Sequence, residues 1–201
     1  MNNAFVLNAA NIVILANNYN PSIISKEWLY EKNIIRDEVI NFAHTPPFSL
    51  IETKRISFVV DESRLQISLR SISLDSIGAL PKIAADFARC LPETPFVAVG
   101  FNYRFQMPKG STYLETLFSP NDAKLKELFS EDYGIGSMVS FRFKEFVVTM
   151  SAPPPKGDAT NVMINFNFHS DCHGAEAVKE RLELHPQTME RAEEILRRLS
   201  G

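Results

Sequence analysis

A strictly alternating segment at residues 96–107, FVAVGFNYRFQM, constrains the fold more than any other part of this chain. Its large apolar residues, such as Phe101 and Tyr103, occupy every second position, while Asn102 and Arg104 occupy positions between them. Because the side chains of a strand point alternately to its two faces, the segment predicts a long strand with one buried face and one polar face. The polar face is therefore expected to be a surface rich in amide and guanidinium groups and not a second core.

Three other predicted strands divide their residues in the same way, so their polar positions are expected to share one face of a sheet. The face predicted to bind a partner comprises Arg64, Gln66, Arg70, Asn102, Arg104, Gln106, Arg142, Asn165 and Asn167, and the same pattern adds Ser68, Ser140, Lys144 and His169. Guanidinium and amide groups suit the recognition of phosphates, carboxylates or base edges. Two other interpretations stay open: a solvated face of an antiparallel sheet, or arginines that pair with carboxylates from loops.

Periodicity and turn residues place the remaining elements. Strands are predicted at 5–16, 48–60, 64–72, 96–107, 138–150 and 161–169, and helices up to residue 32 and at 80–91, 112–118, 122–129 and 174–201, the last broken at His185-Pro186. A change of apolar phase at Ala10-Asn11 predicts a bulge or a strong bend, and another at Lys144-Glu145 predicts a bulge or a tight two-residue turn, of which the turn is favoured. A proline-rich stretch at 153–158 predicts an exposed loop.

The order of these elements predicts an α+β fold. Hairpins and long crossovers join the strands without regular βαβ alternation, which favours a mainly antiparallel, twisted sheet with helices packed on one face. The chain is predicted to be a single domain over residues 1–201. A strand–helix rhythm shared by its two parts also suggests two pseudo-repeated halves, 1–108 and 109–201.

The composition excludes some classes of protein. Hydrophobic residues make up 45% of the chain and charged residues 22%, which is typical of globular proteins. A net charge of −3 argues against a constitutive nucleic-acid coat protein, although a local basic face is compatible with it. Cys90 and Cys172 lie on unrelated segments, so reduced thiols are expected. Without a signal sequence or a long apolar run, we expect a cytoplasmic protein with no membrane partner.

Four segments carry a resemblance to known proteins. NIVILANNYNPSIISKEWL, FVVDESRLQIS, FVAVGFNYRF and VMINFNFH resemble a sporadically distributed family of uncharacterised prokaryotic proteins. The layout is also similar, by topology only, to the TATA-binding-protein-like (β-α-β4-α) architecture. The resemblance implies a fold and no activity, because one fold hosts many functions.

Residues 169–173 hold the only dense group of metal-ligand types in the sequence: His169, Asp171, Cys172 and His173. Two imidazoles, a carboxylate and a thiol can supply ligands to zinc, and a thiol beside a histidine can act as a nucleophile. The alternative is a strand end that leads into a helix, where Ser170 or Asp171 acts as a cap. We predict no metal site and no cofactor, since no second ligand pair and no phosphate-binding or hydrolase motif occurs in the sequence.

The sequence thus predicts a non-enzymatic interaction protein that binds a macromolecular partner, or its own copy, through the polar sheet face or an edge strand. One alternative is a nucleic-acid-binding protein that uses the same face. Another is a metal-dependent enzyme centred on the segment 169–173.

Overall fold

The computed structural model describes residues 5–108, 122–129, 135–154 and 161–199. The helix predicted at 112–118 and most of the loop predicted at 153–158 lie outside these ranges. The described strands are β1 Val6–Ala16, β2 Val39–Thr45, β3 Phe48–Thr53, β4 Ile56–Asp61, β5 Arg64–Leu69, β6 Phe96–Pro108, β7 Ser137–Phe143, β8 Phe146–Ala152 and β9 Asn161–Asp171. The described α-helices are α1 Lys26–Glu31, α2 Leu74–Arg89, α3 Asp122–Phe129, α4 Gly174–Glu183 and α5 His185–Leu199.

All nine strands form one antiparallel sheet in the order β2-β3-β4-β5-β1-β6-β9-β8-β7. Strands β1 and β6 lie at its centre, and β2 and β7 are its edges. The sheet does not close on itself. The predicted α+β class with a mainly antiparallel sheet is therefore confirmed.

The element order of the first part of the chain recurs in the second. In the first, β1 is followed by α1, by the strands β2–β5 and by α2; in the second, β6 is followed by α3, by β7–β9 and by α4. The two series meet at the antiparallel pair of β1 and β6, where Asn11 faces Asn102. In this order β6 is the first strand of the second series, and the predicted halves, 1–108 and 109–201, stay a prediction.

Helices cover one face of the sheet, and the core lies between them and the strands. The phenol of Tyr103 on β6 lies 2.8 Å from the hydroxyl of Thr188 on α5, and the ring of Phe101 packs edge-on against His185 at 5.1 Å. On the other side of the core, Phe87 of α2 packs against Tyr19. The odd-numbered residues of β6 from 99 to 107 are all buried on this face, as their alternation predicts.

The strand boundaries before β5 differ from the prediction. The single strand predicted at 48–60 is two strands, β3 and β4, because the hydroxyl of Thr53 accepts hydrogen bonds from the backbone N–H groups of Arg55 and Ile56 and closes a tight turn that has no glycine or proline. Strand β2 was not predicted. It is an edge strand whose register shifts between Val39 and Asn41, so its residues show no period of two.

Three further boundaries also differ. The bulge of β1 lies between Leu7 and Ala9 and not at Ala10-Asn11. Helix α2 begins at Leu74, ahead of the predicted residue 80, because Ser73 and Ser76 form a reciprocal capping box and Pro81 is accommodated inside the helix. The turn predicted at Lys144-Glu145 joins β7 to β8, so Lys144 belongs to the turn and not to a strand.

Substitutions at two glycines, Gly78 and Gly174, test where helices α2 and α4 begin. An added Cβ at Gly78, inside α2, meets no atom within 4 Å, whereas Gly174 at the start of α4 has a φ of +80°. We expect Gly78→Ala to raise the free energy of unfolding by about 0.5–1 kcal/mol and Gly174→Ala to lower it by about 1 kcal/mol, because only the second forces a Cβ into a left-handed conformation. Urea denaturation of the two variants measures this. Equal shifts of the same sign would contradict the described backbone.

Candidate binding face

One continuous line of polar residues crosses the open face of the sheet, the face opposite the helices. Each member lies directly opposite the next in the strand register. This polar row consists of Ser140, Thr149, Asn167, Asn102, Asn11, Ser68, Ser57, Glu52 and Asn41. With neighbouring strands about 4.8 Å apart, it spans roughly 38 Å. The register thus aligns one polar residue from every strand on the open face, while the core residues of the strands face the helices.

The centre of the polar row is a ladder of three amides. The side-chain N–H of Asn167 donates to Asn102 at 2.7 Å, and that of Asn102 donates to Asn11 at 2.8 Å. Such a chain orients each amide, because rotating one group breaks the bonds on both sides of it. The ladder therefore presents fixed donors and acceptors on the β1–β6 pair at the middle of the sheet.

A depression of about 430 Å³ lies beside this ladder. It is lined by Ala9, Asn11, Asn102, Tyr103, Arg104, Thr149, Ser151, Asn165, Phe166 and Asn167. The rings of Tyr103 and Phe166 are buried in the core, so these two contribute backbone atoms. Apart from the methyl group of Ala9, the side chains that remain are amides, hydroxyls and one guanidinium, which can hold a ligand by hydrogen bonds and a single positive charge.

Arg104 supplies that charge. Its Nε donates to the side-chain oxygen of Asn165 at 3.0 Å, and no carboxylate of a described residue pairs with it. A guanidinium carries five N–H donors in a planar fork, so one neutral amide leaves most of them available. Arg142, at the outer edge of the face on β7, also makes no ion pair with a described residue.

The other two arginines of the face already have partners. Arg64 contacts Asp61 at 2.9 Å and Arg70 contacts Glu52 at 3.8 Å. Burial alone would raise the pKa of Asp61, but hydrogen bonds from Ser63 and Arg64 outweigh it, and the pKa lies below its ordinary value. For Arg64 and Arg70, pairing with nearby carboxylates is thus the arrangement observed.

A second line of residues runs parallel to the polar row. From β1 to the edge strand β2, most of its members are apolar. Val13 lies opposite Gly100 and Gln66, and Val59 and Leu50 continue the line. We call Val13, Val59 and Leu50 the apolar row. They are partly exposed and do not belong to the core that the helices cover. The open face therefore combines an amide-lined depression with an apolar strip on one side of it.

The candidate metal ligands at 169–173 do not converge. His169 and Asp171 lie together on the open face, with Nε2 3.0 Å from the carboxylate, whereas Cys172 is buried and its backbone N–H donates to Val97. His173 precedes α4 as its N-cap. Within the described ranges, no three His, Cys, Asp or Glu residues are grouped as a metal site would require. Burial raises the pKa of the Cys172 thiol, which disfavours the thiolate that a nucleophile needs.

The structure places the predicted residues Gln66, Asn102, Arg104, Gln106, Asn165 and Asn167 on the open face together, with Arg64, Arg70 and Arg142 toward its margins. Sequence reasoning missed Asn11, Thr149 and Ser151. The misplaced bulge in β1 assigned Asn11 to no face, and Thr149 and Ser151 are polar residues in an otherwise apolar strand. Correct placement of the bulge at Asn8, which hydrogen-bonds Gln106 at 2.9 Å, would have identified Asn11.

A scan against models of known protein families found no match for this sequence, and a search of curated proteins found none either. No helix in the described part of the chain has the length and apolar character needed to cross a bilayer. The function must therefore be argued from the geometry of the open face.

Proposed function

We propose that this protein is a binding protein that holds a macromolecular partner on the open face of its sheet. The observation that carries the proposal is the polar row, in which the register brings one polar residue from each of nine strands into line beside an amide-lined depression. A face about 38 Å long suits an extended or large partner better than a small molecule. The groups in the depression favour recognition over acid–base chemistry, which uses side chains that titrate near neutral pH.

Nucleic-acid binding is a second candidate function. Arg104 and Arg142 carry guanidinium groups that make no ion pair with a described residue, and the first part of the chain has the β-α-β4-α order on which the suggested TATA-binding-protein-like architecture rests. Phosphate contacts release counterions, so binding of this kind would weaken steeply as salt is raised. Architecture alone does not decide between the two candidates.

Site-specific photo-crosslinking tests the proposed function. A benzophenone amino acid is placed at Val147, a residue of the open face that is 45% exposed, and in a matched variant at Glu190 on the solvent side of α5. In an extract of the source organism we expect a defined crosslink from position 147 and none from position 190. An excess of unlabelled native protein should suppress that crosslink, and an excess of the Arg104→Glu variant should not.

Digestion of the crosslinked product then separates the candidates. A product that protease degrades and nuclease leaves intact supports a protein partner, and the reverse supports the nucleic-acid alternative. No crosslink from position 147, or equal crosslinks from both positions, would contradict the use of the open face.

A further inference from the structure

We propose that the open face recognises an acidic polypeptide segment, with a carboxylate bound to Arg104 in the depression and apolar side chains on the apolar row. This inference rests on the proposed function and names the class of partner. It depends on the charges of the open face and on the position of the amide-lined depression beside the apolar row.

The charges around Arg104 favour an anionic group. Among the described residues that line it, the depression has no carboxylate, and the guanidinium of Arg104 is held by one neutral acceptor, Asn165. A carboxylate can accept two parallel N–H bonds from the planar fork, and this pairing is stronger than a bond between neutral groups. The hydrogen bond at Nε fixes the orientation of the fork before the partner binds, which reduces the entropy lost on binding.

The neighbouring amides complete the site for a polypeptide. Asn102 and Asn167 carry both donors and acceptors and are held by the ladder. A peptide bond also carries one donor and one acceptor, so an amide ladder can pair with the backbone that flanks the bound carboxylate. Thr149 and Ser151, the β8 neighbours of Asn167 and Asn165, add hydroxyl groups to the lining of the depression.

The charge balance of the whole face disfavours a polyanion. Its four arginines, Arg64, Arg70, Arg104 and Arg142, are opposed by the carboxylates of Glu52, Asp61 and Asp171. Interfaces with nucleic acid are much more positive, because each bound phosphate requires a cation. A partner with one or two acidic groups matches Arg104 and Arg142, the two arginines of this face that make no ion pair with a described residue.

The apolar row favours a polypeptide for a second reason. Val13 lies opposite Gly100, which is four residues along β6 from Arg104, a distance of about 13 Å in a strand. Four residues of an extended peptide cover the same distance, so one segment can place a carboxylate at Arg104 and an apolar side chain at Val13. The apolar side chains of Val13, Val59 and Leu50 make no favourable contact with a sugar–phosphate backbone or with water, whereas apolar side chains of a polypeptide can pack against them.

Peptide display against the purified protein tests the proposal. A random library of displayed peptides is selected on the immobilised protein, and the affinity of an enriched peptide is measured by fluorescence anisotropy. We expect enriched sequences to contain Asp or Glu within about four residues of a large apolar side chain. A pool of random-sequence single-stranded RNA is measured in parallel as the competing class of partner.

Substitution of Arg104 then identifies the contact. Arg104→Gln is expected to weaken binding of the enriched peptide by about tenfold to hundredfold, because a charge-assisted hydrogen bond is lost. Arg104→Lys is expected to restore part of the affinity, since lysine keeps the charge and loses the planar fork. Arg89→Gln on α2 serves as the control with an equal change of charge, and it should bind as the native protein does.

Each contrary outcome has a defined meaning. Enriched peptides without acidic residues, an absence of enrichment, or acidic peptides that bind the Arg104→Gln variant normally would overturn the acidic-segment proposal. Binding of the RNA pool that depends on Arg104, without peptide binding, would replace it with the nucleic-acid candidate. If the selected peptides contain no acidic residues but the protein still crosslinks from position 147, the proposed function stands and only the acidic-segment inference fails. If crosslinks form from position 190 alone, both the proposed function and this inference fail.

Discussion

Replacement of Phe168 by alanine is expected to lower the free energy of unfolding by about 3–5 kcal/mol. Phe168 lies on β9 and is fully buried, and its ring contacts those of Tyr103, Phe143 and Phe146 with centroids 5.7–6.3 Å apart. The substitution leaves a cavity between the sheet and α5 and removes three edge-on aromatic contacts. Such a loss is a large share of the 5–15 kcal/mol that typically stabilises a domain.

The neighbouring residue provides the matched control. Asn167 points to the open face, is exposed, and contributes one hydrogen bond to Asn102. Asn167→Ala is therefore expected to change the free energy of unfolding by about 1 kcal/mol or less. Urea denaturation of both variants measures the contrast between the two faces of one strand. Similar losses for the two variants would mean that the open face is covered, and the argument for a binding face would fail.

The alternation along β6 was sufficient to predict that the large side chains at odd positions from Val99 to Met107 are buried, because a period of two has only one regular explanation in a long strand. It did not predict that Ala98 and Gly100, in the opposite phase, are buried as well. It also predicted that Asn102 and Arg104 share a face. The partner of Asn102 was not predictable, since the pairing of β1 with β6 brings together residues 91 positions apart and only the register of the sheet defines it. The alternation within one strand therefore predicts the face on which a residue lies. The residues that form a site with it depend on how distant strands pair.

The missed elements share a physical cause. The turn after Thr53 is closed by a side-chain hydroxyl and β2 is interrupted by a register shift, so neither carries the usual turn residues or alternation. The start of α2 depends on the pair Ser73 and Ser76, while Pro81 suggested a boundary within the helix. In each case a specific hydrogen bond, a register shift or a tolerated proline outweighed the average preference of the residues.

The order of the elements is similar in the two parts of the chain, but the two parts carry different side chains on the open face. If the facing residues Asn11 and Asn102 are equivalent, then Arg104 corresponds to Val13 two positions further along each strand. Likewise Asn167, the neighbour of Asn102 on β9, corresponds to Ser68, the neighbour of Asn11 on β5. On that equivalence the polar depression and the apolar row occupy related positions in the two parts of the chain, and a segment bound as we propose would have a defined direction.

His185 makes the fold sensitive to acid. Its side chain is 1% exposed, it packs against the rings of Phe101 and Tyr103, and its Nε2 has no hydrogen-bond partner among the described residues. Burial lowers the pKa of His185 from its ordinary value of 6.5 to about 4. Between these two pH values the unfolded chain binds a proton that the folded protein does not, so stability falls as the pH falls.

We therefore expect the native protein to lose about 2–3 kcal/mol of stability between about pH 7.5 and about pH 4.5 through this residue, since one pKa unit corresponds to about 1.4 kcal/mol. His185→Phe keeps an aromatic ring of similar size and cannot be protonated, so it should remove this part of the pH dependence. Urea denaturation of both proteins at the two pH values isolates the effect, because carboxylates such as Asp61 contribute equally to each. An identical pH dependence in the variant would show that His185 is protonated as easily in the fold as in the unfolded chain, and that its contacts with Phe101 and Tyr103 do not exclude water.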